Sequence, residues 1–356
     1  MLKGTGVSEL GKLRFFDSTL RDGSHAIKHS LTQQTIAEYC TQMDTAGVDV
    51  IIVGHGNGLG ASSLQTGLSK ISDAEMIKSA RECLKKTMLG AFLIPGYGTI
   101  HDDLAPALDL GVDLICVASH CTEANITRQH IEHVKNMNKS AYGVLMMYHM
   151  ADEQIIVNEA IKMQDYGADG VIIMDSAGAS TPELVSRTIS SLKRSLEIEV
   201  GFHPHNNLGM AVGNAYVAYE NGADIIDATI MGFGAGAGNC QLEAFIALLQ
   251  KLGIETGVDL FTLLDVGDRV ITPVWDNCKG IDSISIVSGM AGVFSSFAPH
   301  VKAASKEFSI DEKEIFMELG NRKVVGGQED MVVDVAMNLA QLRMKNPVED
   351  MLTSLL

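Results

Sequence analysis

The stretch DYGADGVIIMDSAG (165–178) decides the fold. Gly167 closes a helical pattern, Asp169 follows, and VIIM (171–174) is then apolar at every position. An apolar run without alternation marks a strand covered on both faces, as in a parallel sheet. Polar groups, Asp175 and Ser176, arrive where the run ends. The same grammar recurs as Gly47-Val48-Asp49, Gly111-Val112-Asp113 and Gly222-Ala223-Asp224. Eight apolar runs read as strands: 13–17, 49–54, 88–95, 113–119, 142–148, 170–175, 199–203 and 224–231. The Gly-x-Asp units precede the second, fourth, sixth and eighth. Helical patterns lie between the runs, several ending in a glycine suited to a helix stop. Strand and helix alternating eight times predict a (β/α)8 TIM barrel, with an open doubly wound sheet as the competing architecture.

Working outward, residues 1–12 read as an N-terminal arm and 13–252 as the catalytic barrel. Beyond residue 253 the strands stop, so 253–345 read as a C-terminal helical extension. VSGMAGVFSSFAPHVKAAS (287–305) and DMVVDVAMNLAQLRMK (330–345) read as helices within it, and 346–356 as a mobile tail.

At 356 residues and 46% hydrophobic, the chain can bury a large core. Its net charge of −17 argues against nucleic acid or an anionic membrane surface as partner. No apolar run reaches transmembrane length, and the N-terminal residues lack a signal-peptide core. The six cysteines are scattered without metal-type spacing, which predicts reduced thiols in a cytoplasmic protein.

Barrel active sites lie at the C-terminal ends of the strands. There this chain places Asp17, Arg21, Asp22 and His25 after strand one, His55 after two, and Ser119 with His120 after four. His149 follows strand five, Asp175 and Ser176 strand six, and His203 with His205 strand seven. In an extended strand residues i and i+2 share a side, so His203 and His205 can grip one cation together. Asp22 would complete a set of two imidazoles and one carboxylate with open positions. Non-haem iron oxygenases use such a set too, usually on a different scaffold. Arg21 beside the cation suits negative charge developing on a substrate oxygen, as in an enolate. His25 titrates in the right range for a general base or acid. No run contains or directly ends in lysine, so imine chemistry is excluded and carbon–carbon chemistry would pass through a metal-held enolate. The loop Gly232–Gly238 reads either as a phosphate cradle or as a tight turn closing the barrel. Its spacing does not fit a dinucleotide fingerprint.

DSTLRDGSHAIKH (17–29), VGHGNGLGASS (53–63), SHCTEA (119–124), GVLMMYHM (143–150), HPHNNLGMAVGNA (203–215), GFGAGAGN (232–239) and VVGGQEDMVVDVA (324–336) carry a resemblance over nearly the whole chain. The chain resembles the 4-hydroxy-2-oxovalerate aldolases, the pyruvate-aldolase branch of the HMG-CoA lyase-like (DRE-TIM) barrel superfamily. That resemblance implies metal-dependent, reversible cleavage of a 4-hydroxy-2-oxo acid to pyruvate and a short aldehyde. It implies a divalent metal, most often Mn2+ with Mg2+, Co2+ or Zn2+ as alternatives, held by Asp22, His203 and His205. Arg21 would stabilise the enolate, His25 would take the C4-hydroxyl proton, and Ser176 and His203 would lie beside the oxo acid. It further implies an oligomer and an acylating acetaldehyde dehydrogenase as partner, with 253–345 as the docking domain. One position departs from the pattern: Phe294 stands where the family has a tyrosine reaching the substrate. Two other readings are an acyl-CoA lyase or Claisen-type synthase on the same barrel, and a catalytically weakened docking subunit.

Overall fold

The computed structural model describes residues 13–275 and 280–345. The arm 1–12 and the tail 346–356 lie outside the described residues. Eight parallel strands close a barrel in chain order. They are β1 (Arg14–Asp17), β2 (Val50–Ile52), β3 (Met88–Leu93), β4 (Leu114–His120), β5 (Ser140–Met146), β6 (Gly170–Asp175), β7 (Glu199–Pro204) and β8 (Ile225–Ala228). The open doubly wound sheet is excluded, because β8 pairs with both β1 and β7. The helices that follow them in turn are α1 (Gln33–Met43), α2 (Asp73–Cys83), α3 (Ala105–Asp109), α4 (Arg128–Asn136), α5 (Glu153–Asp165), α6 (Pro182–Ser195), α7 (Ala211–Glu220) and α8 (Leu242–Lys251).

The internal repeat has a mechanical explanation. Gly47, Gly111, Gly167 and Gly222 each take a left-handed φ between 90° and 95° and stop a helix. The aspartate two residues later then reaches sideways to the preceding strand. Asp49 accepts from the Phe15 N–H (2.8 Å), Asp113 from Leu89 (3.0 Å), Asp169 from Ala141 (2.9 Å) and Asp224 from Val200 (2.8 Å). Each carboxylate occupies a donor at the N-terminal rim that the ladder leaves open; a buried N–H without a partner costs roughly 1–3 kcal/mol. Arg81, Lys135 and Lys193 from α2, α4 and α6 neutralise three of the four. Four copies of one local device therefore lock the strands in pairs at the rim away from the active site.

Side-chain alternation separates two cores. Phe16, Val50, Ile52, Leu114, Cys116, Val144 and Ile172 fill the barrel interior, while Phe15, Ile51, Ile115, Val117 and Ile173 pack outward against the helices. Two expectations shift. The eighth run ends early as a strand: Met231 takes a left-handed φ of 57°, so Ile230–Gly232 is a turn that launches the glycine loop. The stretch 287–305 is two helices rather than one, because Gly292 (φ 66°) caps the first of them.

After α8, α9 (Leu260–Val266) still packs on the barrel, its Leu263 and Val266 entering the outer core. The extension holds α10 (Ser283–Ala291), α11 (Ala298–Phe308), α12 (Glu312–Asn321) and α13 (Met331–Lys345). Its own apolar core joins Val293, Phe297, Val301, Ile315, Phe316, Leu319, Val332 and Val335. Among the described residues, no helix is long and apolar enough to cross a membrane.

Candidate active site

The barrel brings the two distant stretches together. Asp22, His203 and His205 are buried, and each offers a ligand atom within 4.8 Å of the others. His203 is the penultimate residue of β7 and His205 directly follows the strand's last residue, Pro204, so both rings face the site, centroids 5.1 Å apart. Asp22 opens a single 3-10 turn, Asp22–Ile27, directly beyond β1. His203 Nε2 and His205 Nδ1 are buried without a hydrogen-bond partner. Two orphaned imidazole nitrogens beside a carboxylate are what a divalent cation would satisfy, so the residues fit a metal.

Neighbours orient these ligands. Asp227 on β8 accepts from His203 Nδ1 at 2.8 Å and from the Ser18 hydroxyl at 2.7 Å, leaving the His203 Nε2 lone pair for a cation. The Asp22 carboxylate receives Arg21 Nη1 at 2.8 Å, Asn239 Nδ2 at 2.7 Å and the Ala235 N–H at 3.4 Å. Burial works against charge on Asp22, yet Arg21, with His205, His25 and His203, holds its carboxyl far below the usual carboxylate range. Burial pushes His205 down to about 3, against the pull of Asp22. Charged aspartate and neutral imidazole are the ligand-ready forms.

The glycine loop closes on itself as a tight turn, the Asn239 N–H donating to the Gly232 carbonyl at 2.9 Å. It lies on Asp22: a Cβ added at Gly234 would sit 2.6 Å from Asp22 Oδ2 and 2.2 Å from Asn239 Nδ2. Only a bare backbone lets Asn239 reach the carboxylate.

Arg21 is 3% exposed and stacks over Phe92, its guanidinium carbon 4.5 Å from the ring centroid. Nη1 also reaches the Gly56 carbonyl at 3.3 Å and Nη2 the Ser18 hydroxyl at 3.4 Å, but Nε is buried without an acceptor. An unpaired buried guanidinium donor is chemically suited to an oxygen that enters the site. His25 rests on Gly56, where an added Cβ would lie 2.4 Å from His25 Nε2. Burial lowers its pKa from the ordinary imidazole value, against the attraction of Asp22.

The remaining polar residues at the strand ends divide among other tasks. Asp17 faces outward, accepts the Tyr39 hydroxyl at 2.6 Å and is raised by burial to about 6. Ser176 is buried and accepts the Met147 N–H at 3.2 Å. His149 lies 3.2 Å from the Gly292 carbonyl and so holds the extension rather than the metal set. Phe294, just past Gly292, lines a cavity of about 520 Å³ with Ser119, His120, Met146, Met147 and Asn57. Its lining includes Asn57, which follows in sequence the Gly56 on which His25 rests.

Sequence reasoning missed Asp227 and Asn239. The signal for Asp227 was a carboxylate interrupting the apolar run DIIDATIM at an inward position, one strand turn after Ile225. Asn239, the polar residue ending the glycine loop, left no comparable sign.

Residues 12–270 match the HMGL-like family and residues 279–341 the DmpG-like communication domain. A 4-hydroxy-2-oxovalerate aldolase from Pectobacterium atrosepticum is 51% identical over 341 residues, 95% of this chain and 98% of that one. The chain belongs to the 4-hydroxy-2-oxovalerate aldolase family. A second member, from Spirochaeta aurantia, is 51% identical over 90% of this chain and 94% of its own. The carboxyl transferase domain of Rhizobium etli pyruvate carboxylase shares the fold, with a TM-score of 0.79 at 16% identity, covering 93% of this chain and 60% of that one. For this aldolase-family chain, these comparisons favour the aldolase reading over the acyl-CoA one.

Burial also sets an acid limit on the metal-free protein. It holds His29 near 3 and His55 near 4, as it does His205 near 3. An unfolded imidazole titrates near about 6.5. The stability these three contribute is therefore full above about pH 6.5 and is lost as the pH falls toward their folded values. Asp17, whose folded pKa is raised, opposes this with one proton between about pH 4 and 6. Asp73, Asp175 and Glu243, also raised by burial, act with Asp17, while His25, His120 and His130, also lowered by burial, act with the other imidazoles. The large shifts of His29, His55 and His205 across this interval give a urea midpoint that is lower at about pH 5 than at pH 7. An equal or higher midpoint at the lower pH would contradict this electrostatic picture.

Proposed function

We propose that this chain cleaves 4-hydroxy-2-oxo acids, such as 4-hydroxy-2-oxovalerate, reversibly to pyruvate and a short aldehyde. The observation that carries the reading is Arg21, with its unpaired Nε, packed against the orphaned ligand set of Asp22, His203 and His205. The relatives' shared name supplies the substrate class. A divalent ion held by Asp22, His203 and His205, Mn2+ by preference, would act as a Lewis acid on the 2-oxo group.

The chain's own residues account for the rest. His25, kept neutral by burial, takes the proton of the C4 hydroxyl. As that O–H bond breaks, the C3–C4 bond breaks, the aldehyde carbonyl forms, and the bonding pair moves into the enolate of pyruvate. Arg21 donates to the oxygen on which that charge accumulates. A proton delivered to C3 completes pyruvate. Ser176, by holding the Met147 backbone, and His203 shape the oxo-acid side of the site.

Exposed Met290, Met317, Val333, Met337, Leu342 and Met344 on the extension support an aldehyde dehydrogenase of the acylating type as docking partner. An oligomeric assembly belongs to the same proposal. The five described cysteines are all free, which supports a reducing, cytoplasmic setting.

The deciding experiment measures pyruvate release from racemic 4-hydroxy-2-oxovalerate, with protein stripped of metal and then resupplied with Mn2+. Release restored by Mn2+ is expected. No release from protein with proven Mn2+ binding overturns the assignment.

Phe294 adds a stereochemical expectation. It keeps the ring of the family's tyrosine and lacks the hydroxyl, worth roughly 0.5–2 kcal/mol, or up to about 30-fold in rate. Wild type should consume both C4 enantiomers with weak preference, and Phe294→Tyr should sharpen that preference. Equal stereopreference and turnover in the two proteins would sink the idea.

A further inference from the structure

Behind His25 lie two histidines that the retro-aldol reading leaves unused. The His29 and His55 rings are stacked, with centroids 3.7 Å apart and planes within 19°. Both nitrogens of each ring are engaged. His55 Nδ1 accepts the Asn57 N–H at 3.0 Å, so Nε2–H donates to the Gly67 carbonyl at 3.0 Å. His29 Nε2–H donates to the Thr66 carbonyl at 3.1 Å, so Nδ1 accepts the Ser24 hydroxyl at 3.2 Å. Every lone pair is taken, which rules out a second metal position here.

The backbone is bent to build this arrangement. Lys28 and His29 both adopt left-handed conformations, φ 53° and 56°, which side chains of this kind disfavour. Gly67 must be bare, since a Cβ there would lie 2.8 Å from His29 Cδ2. The pair thereby ties the loop after β2 to the loop after β1 that carries Arg21, Asp22 and His25. The His25 ring stands edge-on to His29, centroids 5.1 Å apart at 70°, and is hemmed on another side by the Gly56 backbone. His25 cannot shift toward either of those two walls unless the wall moves.

We propose that the stacked His29–His55 pair is a positioning device for the general base, setting the His25 ring toward the C4 hydroxyl of the substrate. Neither ring touches a reacting atom. The inference rests on His25 being the base, and its test separates the two claims.

Oxaloacetate supplies the separation. It carries a carboxylate at C4, so breaking C3–C4 releases CO2 and leaves the electron pair in the same pyruvate enolate. There is no C4 hydroxyl proton to remove, and a subsequent proton to C3 gives pyruvate. Decarboxylation thus uses Arg21 and the metal set but not the base. The Mn2+-loaded full chain is assayed for cleavage of 4-hydroxy-2-oxovalerate, for oxaloacetate decarboxylation and for Mn2+ affinity. His29→Asn is the first variant, because asparagine tolerates the left-handed backbone.

Cleavage kcat is expected to fall roughly 10- to 100-fold in His29→Asn. KM, decarboxylation and Mn2+ affinity should stay within about threefold. In a His25→Ala background, adding His29→Asn should cost less than about threefold more, since a device acting through His25 has nothing left to position. His55→Gln, which retains a donor toward Gly67, should give the same pattern and keeps the test open should His29→Asn fold poorly. The proposal is overturned by cleavage and decarboxylation falling together, by losses that multiply in the double variant, or by unchanged cleavage in both single variants. His25→Ala cleaving at the wild-type rate overturns the base assignment itself, and the positioning claim with it.

Discussion

Asp22→Asn is expected to leave a folded protein whose metal-dependent cleavage has fallen about a thousandfold. The substitution preserves shape and removes charge at the point where the site most depends on it. Asp22 is 3% exposed and is met by three donors, from Arg21, Asn239 and Ala235. An amide can accept on one oxygen only, so its NH2 would confront one of those donors. The cation would keep two neutral imidazoles and no anionic ligand. Lewis-acid stabilisation of the reacting oxygen contributes several kcal/mol, and each 1.36 kcal/mol is about tenfold in rate. Titrating Mn2+ into both proteins while following pyruvate release checks this directly. Turnover near the wild-type rate in Asp22→Asn would remove Asp22 from the ligand set.

The second large effect is expected from Arg21→Lys, with a loss of at least about 100-fold in kcat and Mn2+ affinity little changed. Arg21 spends its fork on four tasks at once: Asp22, the Gly56 carbonyl, the Ser18 hydroxyl and the face of Phe92. Its Nε remains buried and unpaired, available to a substrate oxygen. An ammonium is a point charge that cannot hold this planar set and still present a donor to the enolate. Removing a donor to a developing oxyanion costs about 10²–10³ in kcat. Oxaloacetate decarboxylation should fall along with cleavage, because both produce the same enolate. A variant that loses cleavage and keeps decarboxylation would show that Arg21 does not serve the enolate.

Much of the fold was legible because its signals are local. A left-handed glycine stop, an aspartate two residues later and an apolar run follow from helix termination and two-sided burial, both of which act over a few residues. The break at Gly292 escaped the same reasoning, since the small-residue stretch around it is compatible with one helix or two. What separates them is packing: α10 must turn at Gly292 so that Val293 and Phe297 enter the extension's core beside Ile315 and Val332. The early end of β8 likewise depends on a distant partner, the Thr19 hydroxyl, which accepts the Ile230 N–H.

For the site, the sequence by itself determined the chemical repertoire: His-x-His at a strand end, an Arg-Asp pair after another, and no lysine in any barrel run. Those residue types at those spacings allow a divalent-metal centre with a cation beside it and exclude an imine. Only the tertiary structure decided how the groups are wired. Asn239 and Asp22 are 217 residues apart yet share a hydrogen bond, Asp227 holds His203 through one face and Ser18 through another, and His29 stacks on His55. Hydrogen bonds and ring contacts act over a few ångströms, so their partners exist only once the barrel has closed and its C-terminal loops meet.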